Sequence, residues 1–362
     1  MPDLNGIPSF FLGANAPKGY YSRFDQLFSS SPEGKCFLLK GGPGTGKSTV
    51  LKKIAAVLKE KGLSTELIFC TADTDSLDAV ITSDGKFVVL DATLPHAAEP
   101  KYPGIYERTV SLSECWNEEK LSENKKKAIR LFDENRRLHE EARRYIFAAA
   151  GLFDEAAKLS AEAVSAEKTA RAAARICLRE FGKKKNSQGK EKQRFLSAVT
   201  DKGVFFLNET PKLLCERIYF ISDECGAASR IFMNTVRKRA LEHGFDIISC
   251  RCPIFPAEKI EHIFIPELRL GFMTMNHRHK IEAVPYRIIH SRRFTDEKKL
   301  KKHKLRIRFA LRAGMNLIEE ASSCMREAKE VHDELEKCYI PAMDFAKVNK
   351  KFEEIAKEIP TG

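Results

Sequence analysis

The sequence lacks any run approaching the roughly 18 apolar residues that a membrane-spanning helix needs. The longest apolar stretch, around 145–152, is short and flanked by Arg143, Arg144, Asp154 and Glu155. No membrane association is expected. The first residues, Met1-Pro2-Asp3-Leu4-Asn5, lack the basic and apolar regions of an export signal, which points to the cytoplasm. None of the ten cysteines belongs to a Cys-x-x-Cys pair, and Cys250-Arg251-Cys252 is too tight and too solitary for a zinc site. Reduced, inert thiols are the expectation. Glycine and proline are nearly missing from 117–181, where Ala, Glu, Lys and Arg dominate, so that region reads as helical.

Lysine and arginine exceed the acids, giving a net charge of +12. Part of the excess lies in one loop, Gly182-Lys183-Lys184-Lys185-Asn186-Ser187-Gln188-Gly189-Lys190. Charge alone specifies no groove and no base contact, so a nucleic acid is not the favoured partner.

The 362 residues suggest more than one domain, and the chain repeats itself at a spacing of about 180 residues. Phe11-Leu12-Gly13 with Lys18-Gly19 matches Phe195-Leu196-Ser197 with Lys202-Gly203. The apolar strands Cys36-Phe37-Leu38-Leu39 and Ile218-Tyr219-Phe220-Ile221 follow. Helical segments then end at Gly62 and Gly244, and second strands end at Cys70 and Cys250. Phe87-Val88-Val89-Leu90-Asp91 matches Leu270-Gly271-Phe272-Met273-Thr274, and His96 matches His279. Each half closes in a long charged helical region. In the first, Leu131, Leu138, Tyr145, Leu152 and Leu159 recur at sevens, the spacing of helix packed on helix in a hairpin. The expected segments are an α/β domain at 1–115, a helical hairpin at 116–181, a basic linker at 182–191, a second α/β domain at 192–293 and a C-terminal helical region at 294–362.

The chemistry concentrates at Gly41-Gly42-Pro43-Gly44-Thr45-Gly46-Lys47-Ser48-Thr49, which fits the pattern G-x-x-x-x-G-K-[ST]. Glycines let successive backbone N–H groups turn inward around phosphates, and the following helix adds the positive end of its dipole. Lys47 is expected to reach the β and γ phosphates and Ser48 to place its hydroxyl on Mg²⁺. Thr49 is a helper or simply a helix residue. The context suits the motif: the strand precedes it, and Val50, Leu51, Ile54, Val57 and Leu58 give the helical pattern after it.

Asp91 closes an apolar strand, where an acid would hold Mg²⁺ as a Walker B carboxylate does. No Glu follows it to polarise a water. Asp73, Asp75 and Asp78 come after the second strand, and one of them is the candidate general base or substrate ligand, Asp75 first among them and Asp73 or Asp75 if the acceptor is a hydroxyl. The same stretch also reads as a helix start, with Asp75 or Ser76 as N-cap. Thr93 and His96 are candidates to sense the γ-phosphate. There is no Asn-Lys-x-Asp segment in a guanine-reading position, which leans the nucleotide towards ATP.

In the second half the corresponding stretch is Ser222-Asp223-Glu224-Cys225-Gly226-Ala227-Ala228-Ser229-Arg230. Ser229 stands near the position of Lys47 and Arg230 near that of Ser48, while Thr274 replaces Asp91. Lysine, hydroxyl, glycine run and carboxylate are all missing, so this half is expected to have lost triphosphate binding.

Taken together, Phe11-Leu12-Gly13, Lys40 to Thr49, Asp73-Thr74-Asp75-Ser76-Leu77-Asp78 and Leu90-Asp91-Ala92-Thr93-Leu94-Pro95-His96 resemble a poorly characterised bacterial family of P-loop ATPase-like proteins with two tandem nucleotide-binding-type halves. The resemblance implies a P-loop NTPase fold and ATP binding, and brings no substrate. Members of that family also carry a GKS-type loop in the second half, which this chain does not. The expectation is an α/β P-loop NTPase fold, tandemly duplicated, with a degenerate second half and long α-helical insertions. It is expected to bind ATP and Mg²⁺ and to act as an ATPase using Lys47, Asp91 and Asp75. A small-molecule kinase and a non-hydrolytic, ATP-gated interaction module are the alternatives, the last with an unidentified protein partner.

Overall fold

The computed structural model describes residues 3–28, 33–95 and 98–360. The first part of the chain forms β1 (Ser9–Phe10), β2 (Gly13–Ala16), β3 (Gly19–Ser22), β4 (Lys35–Lys40), α1 (Lys47–Glu60), β5 (Thr65–Phe69), β6 (Leu77–Thr82), β7 (Phe87–Asp91), β8 (Glu107–Ser111), α2 (Glu118–Glu123) and α3 (Lys125–Ala161). Then come α4 (Ala166–Glu180), β9 (Glu191–Arg194), β10 (Ser197–Thr200), β11 (Gly203–Phe206), α5 (Glu209–Leu214), β12 (Arg217–Ser222), α6 (Ala227–Glu242), β13 (Ile247–Arg251), β14 (Ile260–Ile265), β15 (Leu270–Met275), β16 (Arg287–His290), α7 (Glu297–Tyr339) and α8 (Phe345–Lys357).

These elements make an α/β protein with two six-stranded mixed sheets. The first sheet has the order β1-β5-β6-β7-β4-β8, in which β6 alone runs against its neighbours. The second has the order β9-β13-β14-β15-β12-β16, in which β14 alone is reversed. Order and direction correspond strand for strand. The register agrees as well: Leu39 on β4 lies opposite Asp91 on β7, and Ile221 on β12 lies opposite Thr274 on β15.

The chain divides into two compact units, each discontinuous in sequence. Met1–Gly13, Ser22–Ala142 and Ser323–Gly362 form the first, Ala14–Tyr21 and Arg143–Ser322 the second. In the first unit Cys36, Phe37, Leu38 and Leu39 of β4 are all buried, as an unbroken apolar strand covered on both faces requires. Val50, Leu51, Ile54 and Leu58 form the apolar stripe of α1, and it packs on Phe37, Leu39, Val80, Phe87 and Val89 of the sheet. Val348 and Ile355 of α8, with Ile359, complete that core. In the second unit Ala173 and Cys177 of α4 join Phe232, Met233 and Val236 of α6 over Tyr219, Ile221 and Phe272. The helix laid beside α1 thus comes from the end of the chain, and the helix laid beside α6 comes from before the second sheet. Matching main-chain bonds fix both. The Asn117 N–H donates to the Ala342 carbonyl (2.8 Å) and the Asp344 N–H to that of Cys115 (2.7 Å). Ser165 donates likewise to Phe294 (2.7 Å) and Asp296 to Ala163 (2.8 Å).

The helical reading of 117–181 needs one adjustment. Helix α3 does pack on a helix, but its partner is α7 rather than α4. In the first unit the Asn135 side chain donates to the Ala328 carbonyl at 2.8 Å. In the second, the Phe153 ring lies so close to Gly314 that a Cβ there would come within 2.6 Å of it, and Ala156 and Leu159 pack on Ile307 and Ala310. The buried seam of α3 runs through Leu138, Ala142, Ile146, Ala149, Phe153 and Ala156. Leu131, Tyr145 and Leu152, which suggested the seam at sevens, are only half-buried. Small alanines let the helices approach, and an apolarity count overlooks them.

The reading of 75–78 as a helix start is incorrect, because Leu77 opens the strand β6. The Asp73 carboxylate instead folds a tight turn. It accepts from the Asp75 N–H (3.2 Å) and the Ser76 hydroxyl (2.6 Å), and the Ser76 N–H donates to the Asp73 carbonyl (2.9 Å).

The dependence of the first core on the chain's far end is testable. Replacing Ile355, 1 % exposed, by Ala is expected to cost about 2–5 kcal/mol, read from denaturant unfolding of the full chain. A loss below about 1 kcal/mol would mean that α8 does not share the core of α1.

Candidate functional site

Parallel strands gather their carboxyl ends on one edge of a sheet, and chain segments emerging there surround a common crevice. In the first unit β4 leaves that edge into the glycine loop, residues 41–46. β7 ends there at Asp91, and the turn joining β5 to β6 lies there because β6 runs backwards. The Ser48 hydroxyl accepts the Leu77 N–H at 3.1 Å, which joins the start of α1 to the acidic turn.

Gly46 is the residue before α1, with φ +90°, and no side chain caps the helix. Its left-handed backbone favours glycine, and the N–H groups of the first turn are left for an outside acceptor. Gly44, at φ +64°, also requires glycine. The Thr45 hydroxyl donates to the Gly42 carbonyl at 2.8 Å and ties the loop to itself. Lys47 curls back over the loop, its ammonium donating to the carbonyls of Gly41 (3.0 Å) and Gly42 (2.8 Å) and standing 3.7 Å from Asp91 Oδ2. The other Asp91 oxygen accepts from the Thr93 N–H (3.0 Å) and hydroxyl (2.6 Å).

The structure therefore brings Gly41, Gly42, Pro43, Gly44, Thr45, Gly46, Lys47, Ser48 and Asp91 to one place. Thr49 is exposed on α1. Asp75 is exposed at the rim, and its carbonyl accepts from Lys52 at 2.6 Å. Asp73 is half-buried, and its carboxylate bonds within its own turn. His96 lies outside the described residues.

Sequence reasoning missed the end of α7. The Glu336 carboxylate accepts the Gly44 N–H at 3.2 Å, across 292 residues of chain. The His332 imidazole, 3.7 Å away, and the Gly44 N–H hold the Glu336 carboxyl below the usual range, against the effects of burial and of nearby Asp73. Lys329, two helical turns before Glu336, stands 3.8 Å from Asp73. A Cβ on Gly42 would come within 2.6 Å of the Tyr339 ring, and that ring sits edge-on to Trp116 and Phe132. Glu336, Lys329 and Tyr339 carry no local signal, because they read as ordinary positions of a charged helix.

The second unit shows the same construction closed. Gly226, at φ +82°, precedes α6 as Gly46 precedes α1. This match puts Ala227 and Ala228, not Ser229 and Arg230, at the positions of Lys47 and Ser48, because the loop is two residues shorter (223–226 against 41–46). Buried Asp223 accepts the N–H groups of Gly226 (3.2 Å) and Ser229 (2.7 Å). A carboxylate of the chain itself fills the place where an anion would bind. The basic linker is built in too: the Lys185 and Gly189 N–H groups donate to His243 and Leu241 at the end of α6 (2.9 and 3.0 Å).

No protein-family model, no curated protein and no solved structure matches the chain. Among the described residues no helix is long and apolar enough to cross a membrane.

Asp223→Ala strips two buried N–H groups of their acceptor. The expected cost is about 1–3 kcal/mol in denaturant unfolding, and full stability would show that water serves the helix end equally well.

Proposed function

We propose that the glycine loop is the phosphate cradle of an ATP–Mg²⁺ site, and that the protein is a P-loop ATPase with one working site. In this reading the chain is a duplicated P-loop NTPase fold whose second copy is degenerate. The observation that carries the reading is the carboxylate oxygen of Glu336 on the Gly44 N–H. The loop already holds an anionic oxygen with a backbone donor, at a helix start that no side chain caps. A triphosphate is a stronger anion of the same kind. Lys47, now bonded to loop carbonyls beside Asp91, is placed to turn to the β and γ phosphates. The oxygen donors Ser48 and Asp91 suit Mg²⁺, which would neutralise charge on the phosphates. The resemblance to P-loop ATPase-like proteins with two halves agrees with this.

In this account nucleotide competes with Glu336. ATP enters as the carboxylate leaves, and the end of α7, held by Tyr339 over Gly42, is the element that moves. Ala92 follows Asp91, so no neighbouring acid activates water there. Asp73 stands near Glu336 and 3.8 Å from Lys329, and in this reading it, rather than exposed Asp75, orients the attacking group. That group is water in an ATPase. A small-molecule hydroxyl in its place would make the protein a kinase.

Lys47→Ala is expected to abolish the thermal stabilisation given by ATP with Mg²⁺. Glu336→Gln is expected to tighten ATP binding about three- to tenfold by removing the competing charge. Undiminished stabilisation in Lys47→Ala would refute the site. Phosphate release from ATP alone identifies the ATPase, and ADP formed only with an added acceptor identifies the kinase.

A further inference from the structure

The second unit holds a polar cluster remote in kind from phosphate chemistry. Glu261 and His262 on β14 and His279 after β15 each present a donor atom, and these atoms lie within 4.8 Å of one another. Neighbours on a regular strand point to opposite faces. Here they converge because Glu261 is the extra residue of a bulge. Arg251 pairs with Ile260 and Cys250 with His262, and Glu261 is left between them.

The three side chains are buried, at 1 %, 1 % and 7 % exposure. Neither ring nitrogen of His262 has a hydrogen-bond partner, nor has His279 Nδ1 or Glu261 Oε2. Buried polar atoms seldom lack partners, and a group of them calls for an explanation. A neutral imidazole keeps one lone-pair nitrogen, so each ring can offer a ligand atom. With the carboxylate oxygen, that makes three acceptors facing one space. A cation would satisfy all three.

We propose that Glu261, His262 and His279 bind a divalent transition-metal ion of the Zn²⁺ type. His279 Nε2 and Glu261 Oε2 are 3.3 Å apart. Donors about 2.1 Å from a tetrahedral ion stand about 3.4 Å from each other, so this pair stands at a ligand spacing, and the Ser197 hydroxyl, 3.3 Å from the same Nε2, is the contact an ion would displace. Two imidazoles favour Zn²⁺, Co²⁺ or Ni²⁺ over Mg²⁺. Lys259 Nζ, 2.9 Å from Glu261 Oε1, holds the carboxylate by its other oxygen, as ligand carboxylates are commonly held. Lys259 and Arg278, the latter 4.0 Å from the same oxygen, oppose a further positive charge and make the site weaker than an all-thiolate cage. Burial leaves no path for a substrate, so the ion would brace the sheet rather than catalyse.

The first sheet lacks the set. Asp78 occupies the corresponding bulge, between the pairs Phe69–Leu77 and Ile68–Ala79, but Ala79 follows where His262 stands in the second. The proposed ion therefore belongs to the second copy and does not depend on ATP binding.

The test uses the full chain, stripped by a chelator and titrated with Co²⁺ and then Zn²⁺ without nucleotide or magnesium. One ion per chain is expected, with the visible spectrum of Co²⁺ bound by nitrogen and oxygen. Glu261→Gln and His262→Gln should each weaken binding at least about tenfold, while Cys252→Ser, at a buried thiol near Glu261, should not. X-ray absorption of the zinc-loaded wild type needs no variant and should show nitrogen and oxygen donors only. Sulfur among the donors, no uptake at micromolar metal, or undiminished binding in both variants would overturn the proposal.

Discussion

The start of a helix following a β-strand demands an acceptor, and both sheets of this protein are organised around how that demand is met. Gly46 and Gly226 turn the chain into α1 and α6 through the same left-handed backbone, and neither helix has a cap from its own preceding residue. In the second copy Asp223 meets the demand from inside the loop and is buried doing so. In the first the loop is two residues longer, the first turn of α1 has no side-chain cap, and the loop N–H of Gly44 just before it borrows an acceptor, Glu336, from a helix nearly three hundred residues away. An internal cap is permanent. A borrowed one can be exchanged, and that difference underlies the proposal that only the first copy works on a nucleotide.

The exchange would be linked to the fold through segments that cross between the halves. Helix α8 completes the core over α1, and α4 completes the core over α6. Glu336 and Tyr339 reach the glycine loop because α7 continues towards α8, whose start is pinned by the Asp344 N–H to Cys115. In the proposed exchange, displacing Glu336 would pull on the same stretch of chain that anchors the first core. In the proposed ATPase this is how occupancy of a small loop becomes movement of a long helix.

Much of this was legible in the sequence, for definite reasons. The strand β4, the glycine loop and α1 follow from local patterns, an apolar run, a cluster of glycines and an apolar stripe, so they needed no knowledge of the rest. The matching segments around Asp91 and Thr274 also fell at equivalent register positions. What failed was non-local or too subtle in composition. Strand β6 was hidden because Asp75 and Ser76 look like helix caps, yet both bond back to Asp73. The seam of α3 was hidden by alanines. Glu336 and the convergence of Glu261 with His262 depend on tertiary contact and on a bulge, neither of which any spacing rule encodes. The loop offset was misjudged because a two-residue deletion shifts Ser229 away from the place of Lys47.

The central claim is a single exchangeable anion site in a chain with two matching sheets. Calorimetric titration of the full protein with ATP and Mg²⁺ tests it most directly. The account predicts a stoichiometry of one nucleotide per chain. Two nucleotides per chain would contradict the closed second copy, and none would contradict the site itself.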